Sequence, residues 1–142
     1  MVWIPRKSSD ERRQEIVNAT LELIGEKGIG SLRTSEIADR VGFSEAALYK
    51  HFSTKLEVVR ATIWAAGERL INSLEESVEE VGPGDELGKL RTVLETHLKF
   101  VEENPGVSRL LFSDEIHFNR EGLREGLIGI IDHYRSFVAE IL

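Results

Sequence analysis

From Ser8 onward, apolar side chains return at helical spacing, and nowhere do they alternate as they would along a strand. Ile16, Ala19, Leu23 and Ile24 share one face of a first helix, which Ser8 and Glu11 can start as a capping box and Gly28 can stop as a left-handed cap. Thr34 can cap a short second helix carrying Ile37, Ala38 and Val41; Gly42 breaks it, and Ser44 caps a third of about two turns. Thr54 and Glu57 form another capping box at the head of a long fourth helix. Along it Leu56, Val59, Ile63, Ala66, Leu70, Leu74, Val78 and Val81 step at a mean of about 3.6 residues, and from Thr54 to Val81 the length comes to roughly 40 Å. "GPGD" ends this helix. A fifth carries Leu87, Leu90, Leu94, His97, Leu98 and Val101 and stops at "ENPG"; a short sixth carries Val107, Leu110 and Leu111. A seventh follows "FNREG" with Leu123, Leu127, Ile130, Ile131, Tyr134, Val138 and Ile141. With no internal repeat, the predicted fold class is all-α.

Two short helices joined by a turn that contains Gly42 make a helix-turn-helix. A small side chain at Ala38 lets the helices cross closely, and Val41, Leu48 and Phe52 supply the apolar contacts that set the angle. The second helix then has a free face of Ser44, Glu45, Ala47, Tyr49 and Lys50, whose N-terminal end can enter a major groove. Thr34 and Ser44 sit at helix starts, which favour phosphate; Tyr49 can donate to a phosphate oxygen, and Lys50 and His51 can reach the backbone or a base edge. Lys55 lies in the first turn of the fourth helix, where a cation is mildly unfavourable, so an external anion gives it a reason to be there. The alternative is a solvated surface with a buried aromatic. Before the first helix, Arg6 and Lys7 could follow a minor groove, or the arm could be a frayed terminus with Trp3 and Ile4 packed on a neighbouring helix.

Charge divides the 142-residue chain in two. The net charge is −7, but residues 1–60 carry ten basic and nine acidic side chains against eight and sixteen in residues 61–142. An anion could approach the front and would be repelled by the back. Cysteine is absent, which excludes disulfides, zinc–thiolate sites and thiol chemistry. No apolar run approaches the roughly 20 residues needed to span a bilayer, and nothing at the start has the form of a signal peptide, so a cytoplasmic protein is the default expectation.

"RRQEIVNATLELIGEKGIGSLRTSEIADRVGFSEAALYKHFSTKLEVV" resembles the DNA-binding domain of the TetR/AcrR family of transcriptional regulators from about Arg12 to Val59. The shared features include Ile16, Ala19, Gly28, Thr34, Ile37, Ala38, Gly42 and Ser44, and end in the Leu48-Tyr49-x-His51-Phe52-x-x-Lys55 signature. The resemblance implies an N-terminal three-helix DNA-binding domain, residues 1–55, joined by the long fourth helix to a helical ligand-binding and dimerising domain, residues 56–142. It also implies a homodimer that holds an inverted-repeat operator in double-stranded DNA and leaves it when a small, largely apolar effector binds. Ala46 and Ala47 depart from the family, whose members often have glycine or proline and then serine or threonine there. Ala47 can touch a thymine methyl but cannot hydrogen-bond a base, so more of the reading falls to Lys50 and DNA shape. Family members also continue into two further long helices that build the dimer interface; "SFVAEIL" stops in mid-stripe, and the expectation is a truncated second domain.

In the back half the resemblance implies an apolar chamber surrounded by helices four to seven. Its candidate lining is Trp64, His97, Phe100, Leu111, Asp114 and Tyr134, although such stripes equally make ordinary core and a buried histidine can simply satisfy a carbonyl. His97, His117, His133, Asp114 and Glu115 are metal-capable, but none has the paired-histidine spacing of a helical zinc site, and no metal or other cofactor is expected. No nucleophile elbow or phosphate-binding glycine loop occurs, so the chain is not expected to be an enzyme. Two rival functions remain. One is a DNA-binding protein of this fold without an effector, regulated by a protein partner or organising the chromosome, which a solidly packed chamber would favour. The other is a helical enzyme or carrier with an incidental helix-turn-helix, which failure to bind any duplex would favour.

Overall fold

The computed structural model describes residues 5–118 and 122–142, and the caps set the helix starts. Helix α1 (Ser9–Lys27) opens on a reciprocal capping box, in which the Ser8 hydroxyl accepts from the Glu11 N–H at 3.1 Å and the Glu11 carboxylate accepts from the Ser8 N–H at 2.7 Å. Gly28 ends it with φ 79° and ψ 165°, a positive φ that lies outside the left-handed helical region expected for it. A single 3₁₀ turn, Ile29–Ser31, leads to α2 (Thr34–Val41). Here the N-cap is Arg33, not Thr34, which lies one residue inside the helix and has its hydroxyl engaged elsewhere. Gly42, at φ 89° and ψ 31°, is the left-handed cap of α2. Helix α3 (Glu45–Tyr49) has five residues, fewer than the expected two turns, and Ser44 caps it by accepting from the Ala47 N–H at 3.1 Å.

Helix α4 (Lys55–Val81) runs for 27 residues behind its Thr54 cap. Thr54 accepts from the Glu57 N–H, whereas Glu57 reaches back past Thr54 to the Ser53 N–H at 2.8 Å. Asp85 caps α5 (Glu86–Glu103), and Pro105 opens α6 (Pro105–Leu111), where its missing N–H costs nothing. A one-turn helix α7 (Asp114–His117), which no periodicity announces, precedes α8 (Leu123–Ile141).

One apolar core runs through both halves of the chain. Ile16 and Ile24 of α1, Ile37 of α2, Leu48 of α3, Phe52 and Val58 are continuous with Leu110 of α6, Ile116 of α7 and Leu123 of α8. A second cluster, Leu70, Leu74, Val93 and Ile141, closes the far end with Phe100 and Tyr134 packed against it. The stripe expected to bury α5 does so only in part: Leu90, His97 and Val101 are half-buried, with Leu90 packed against the second cluster. Val93 is its buried residue, while Leu87, Leu94 and Leu98 are 81%, 60% and 62% exposed. Leu94 is about 100° round the helix from Val93, so an α5 that turns Val93 to the core leaves Leu87, Leu94 and Leu98 outside.

Glycine permits the closest crossing. Gly106 of α6 is buried, and a Cβ there would collide with the Leu21 carbonyl oxygen of α1; a Cβ on Gly25 would stand 3.1 Å from the Gly106 nitrogen. Ion pairs then fasten α2 to α1. Arg40 donates to Glu26 through both terminal nitrogens, at 2.6 and 2.9 Å, and Lys27 donates to Glu36. The Arg40 guanidinium holds the Glu26 carboxyl below its ordinary value of 4.5, and Lys27 does the same to Glu36.

Gly106→Ala should force α6 off α1 and cost about 1–3 kcal/mol in denaturant unfolding. Gly129→Ala on α8, where an added Cβ meets nothing within 4 Å, should gain roughly 0.5–1 kcal/mol. The depressed carboxylates contribute stability that is present above pH 4.5 and lost as pH falls through their folded values. The melting temperature should therefore fall on acidification below that point, and Arg40→Gln should remove part of the fall.

Candidate nucleic-acid interface and ligand chamber

Ala38 of α2, 1% exposed, shares one core cluster with Leu48 of α3 and with Phe52, both also buried. With the apolar side of α3 committed, Ser44, Glu45, Tyr49 and Lys50 are left exposed, and Ala47 is half-buried. Three of the candidate residues form one hydrogen-bonded chain. The Tyr49 hydroxyl donates to Thr34 Oγ1 at 3.3 Å, and Thr34 Oγ1 donates to Glu45 Oε2 at 2.9 Å. A carboxylate only accepts, so the direction of both bonds is determined. Lys50 is the C-cap residue of α3 and Lys55 opens α4; both are exposed.

His51 is directed differently from its neighbours. Its Nδ1 is 3.5 Å from Ser9 Oγ, its ring is tilted against Phe43 with centroids 6.4 Å apart, and its carbonyl accepts from Arg13. Arg13 also lies over the Phe52 ring at 4.0 Å, a cation–π contact. His51 thus joins α3 to α1, a role that the linear motif does not reveal. In the N-terminal arm, Arg6 is exposed and Lys7 is paired with Glu15, whose carboxyl it lowers; Trp3 and Ile4 lie outside the described residues.

A cavity of about 440 Å³ opens between α4, α5, α6 and α8. Its walls are largely apolar, with Ile63, Ala66, Leu70 and Ile130 among them. His97, Phe100, Leu111 and Tyr134 line it as well. Across it, the His97 Nδ1 and the Tyr134 hydroxyl are hydrogen-bonded at 2.9 Å, and burial raises the Tyr134 pKa.

Trp64 and Asp114 lie outside this lining. Ile63, Ala66 and Leu70 give α4 its chamber face, and Trp64, about 100° round from Ile63, is 53% exposed. The row through Val107 and Leu111 does not reach Asp114, because Ser113 is extended at φ −74° and ψ 141° and breaks the helix. Ser108, Phe112 and Arg135 also line the cavity, and nothing in their residue types marks them for it. Gly67 was the available signal: a glycine inside the α4 stripe lets Ile130 of α8 pack where a Cβ would collide. Among the described residues, no three metal-capable side chains converge.

A model of the tetR family of bacterial regulatory proteins matches residues 16–62. Over 138 residues the chain is 33% identical to the nucleoid occlusion factor SlmA of Vibrio atlanticus, covering 96% of this chain and 68% of that protein. The chain belongs to the TetR family. SlmA of Vibrio cholerae is 32% identical over 132 residues, and the chain spans 66% of its length. Among solved structures, a TetR transcription regulator from Haloarcula marismortui superposes with a TM-score of 0.78 at 25% identity, over 93% of this chain and 69% of that one. The fatty acid degradation regulator FadR of Bacillus halodurans shares the fold, with a TM-score of 0.77 at 18% identity over 96% and 68% of the two chains. The TetR fold accounts for the N-terminal helix-turn-helix and the helical domain behind it.

Lys55→Ala should weaken binding to every duplex alike and lower the salt slope by about one unit. Lys50→Ala should instead change which sequence is preferred. Fluorescence anisotropy across a salt series, with several duplexes, separates the two roles.

Proposed function

We propose that this TetR-family chain acts as a dimer that binds an inverted-repeat operator through residues 1–55 and releases it when a small, largely apolar molecule enters the chamber of residues 56–142. The observation that carries this reading is the 440 Å³ cavity, whose wall is mostly hydrocarbon and includes one internally satisfied polar pair, His97 and Tyr134. A few convergent polar groups in an apolar pocket are the usual make-up of a small-molecule site. Thr34, Ser44, Glu45, Ala47, Tyr49, Lys50 and Lys55 form the proposed DNA surface, with His51 behind it. A dimer would set its two reading helices in successive major grooves, roughly 34–36 Å apart. Ligand can alter that spacing only by binding one arrangement better than the other. Helix α6 supports such coupling, since Val107, Ser108, Leu110 and Leu111 line the chamber while Gly106 lies against α1.

A second reading draws on the SlmA relatives, whose name describes nucleoid occlusion. On that reading the protein occupies chromosomal sites and responds to a protein partner, and the chamber is incidental. Site selection from a random duplex library, followed by operator release against a panel of apolar compounds, tests both. Ligand-responsive regulation expects an enriched inverted repeat and at least one compound that weakens operator binding about tenfold. Ala66→Phe, which fills the chamber, should abolish that response. An enriched site indifferent to every compound would favour the second reading, and no duplex binding at all would overturn both.

A further inference from the structure

The hydrogen-bonded chain on the reading surface assigns work to a residue whose charge is wrong for DNA. Glu45 is exposed in the first turn of α3, and a carboxylate there is repelled by every phosphate it approaches. Thr34 of α2 nevertheless donates to its Oε2, and Tyr49 donates in turn to Thr34. The Thr34 hydroxyl has a single proton, and it is already given to Glu45, so Thr34 is not a free phosphate donor in this arrangement. No described residue donates to the other oxygen, Oε1.

In the major groove, guanine and thymine present only acceptors to hydrogen bonding, whereas cytosine offers the N4 amino group and adenine the N6 amino group beside an N7 acceptor. An acceptor-only carboxylate is repelled by guanine and thymine edges. It is partly opposed by adenine, whose N7 lone pair lies next to the amino donor. Cytosine presents its amino group with no acceptor beside it in that groove. Among the other side chains of α3 that are not buried, Tyr49 has spent its proton within the protein, and exposed Ala46 and half-buried Ala47 have no polar atom beyond the backbone.

We propose that Glu45 is a specificity-determining residue that selects cytosine in each operator half-site, and that Thr34 is its positioning residue. The proposal rests on the DNA-binding reading above and deepens it. Glu45 lowers affinity for DNA in general and raises discrimination at one base pair, while Lys55 supplies sequence-independent attraction. Thr34 holds the carboxylate across the α2–α3 gap, so that its free oxygen meets the groove in one orientation.

The test is parallel site selection with the wild-type chain, Glu45→Ala, Glu45→Gln and Thr34→Val, each checked by thermal unfolding. All three substitutions lie on the surface and should fold. Wild type should enrich one cytosine per half-site. Glu45→Ala should lower the preference at that position about tenfold and strengthen binding to unrelated duplex. Glu45→Gln should move the preference to adenine, because a glutamine amide pairs with both N6 and N7. Thr34→Val should loosen the same position and no other. If wild type enriches a repeat and Glu45→Ala enriches the same repeat with unchanged base frequencies, the proposal is overturned while the DNA-binding reading stands. If wild type binds duplex but enriches no motif, the proposal and the inverted-repeat reading fall together; if it binds no duplex, DNA binding itself is overturned.

Discussion

Where α6 crosses α1, backbone lies against backbone: Gly106 abuts the Leu21 carbonyl, and Gly25 faces the Gly106 nitrogen. No side chain fits between them, so the two helices cannot shift independently by a rotamer change, which is how most helix contacts absorb strain. Helix α6 is one face of the cavity and α1 is the platform for the helix-turn-helix. A displacement of α6 must therefore move α1, deform the crossing or be resisted by it. Ile116 of α7 adds a second link, since it lines the cavity and belongs to the core that also holds Ile37 and Leu48.

From α1 the fastening passes outward by polar contacts. Arg40 and Lys27 clamp α2 through Glu26 and Glu36, and Arg13 takes the His51 carbonyl while covering Phe52. Arg69, halfway along α4, reaches Gln14 and Asn18 of α1. Each such contact is exposed or half-exposed and individually weak. Their collective effect is orientation: α3, with five residues, has too little surface to set its own angle.

An acidic protein with an almost neutral front half has limited electrostatic attraction for a polyanion. The proposed reading surface reflects that limit. Two of its lysines are free of described ion pairs, while the Tyr49 and Thr34 hydroxyls and the Glu45 carboxylate are organised among themselves. Such a surface suits discrimination between sequences better than tight, indifferent binding to phosphate.

Helix existence and type were legible because periodicity and caps are local properties. The span from Thr54 to Val81, the Ser8–Glu11 box, the Ser44 cap and the break at Gly42 are all as the residues require. The helix-turn-helix was legible for the same reason, its glycine and its small crossing residue being fixed by neighbours within ten positions. Three-dimensional packing decided the rest. Which side of α5 is buried depends on how α4 and α8 lie, so Leu87, Leu94 and Leu98 could point outward although the pattern read as core. Trp64 and Asp114 missed the chamber because one helix rotation and one helix break, each small along the chain, change the direction of a side chain completely. The partners of Thr34, 11 and 15 residues away, and the crossing of Gly25 with Gly106 lie between segments distant in sequence. Local spacing encodes which helices form; only their mutual approach decides which faces, hydroxyls and glycines meet.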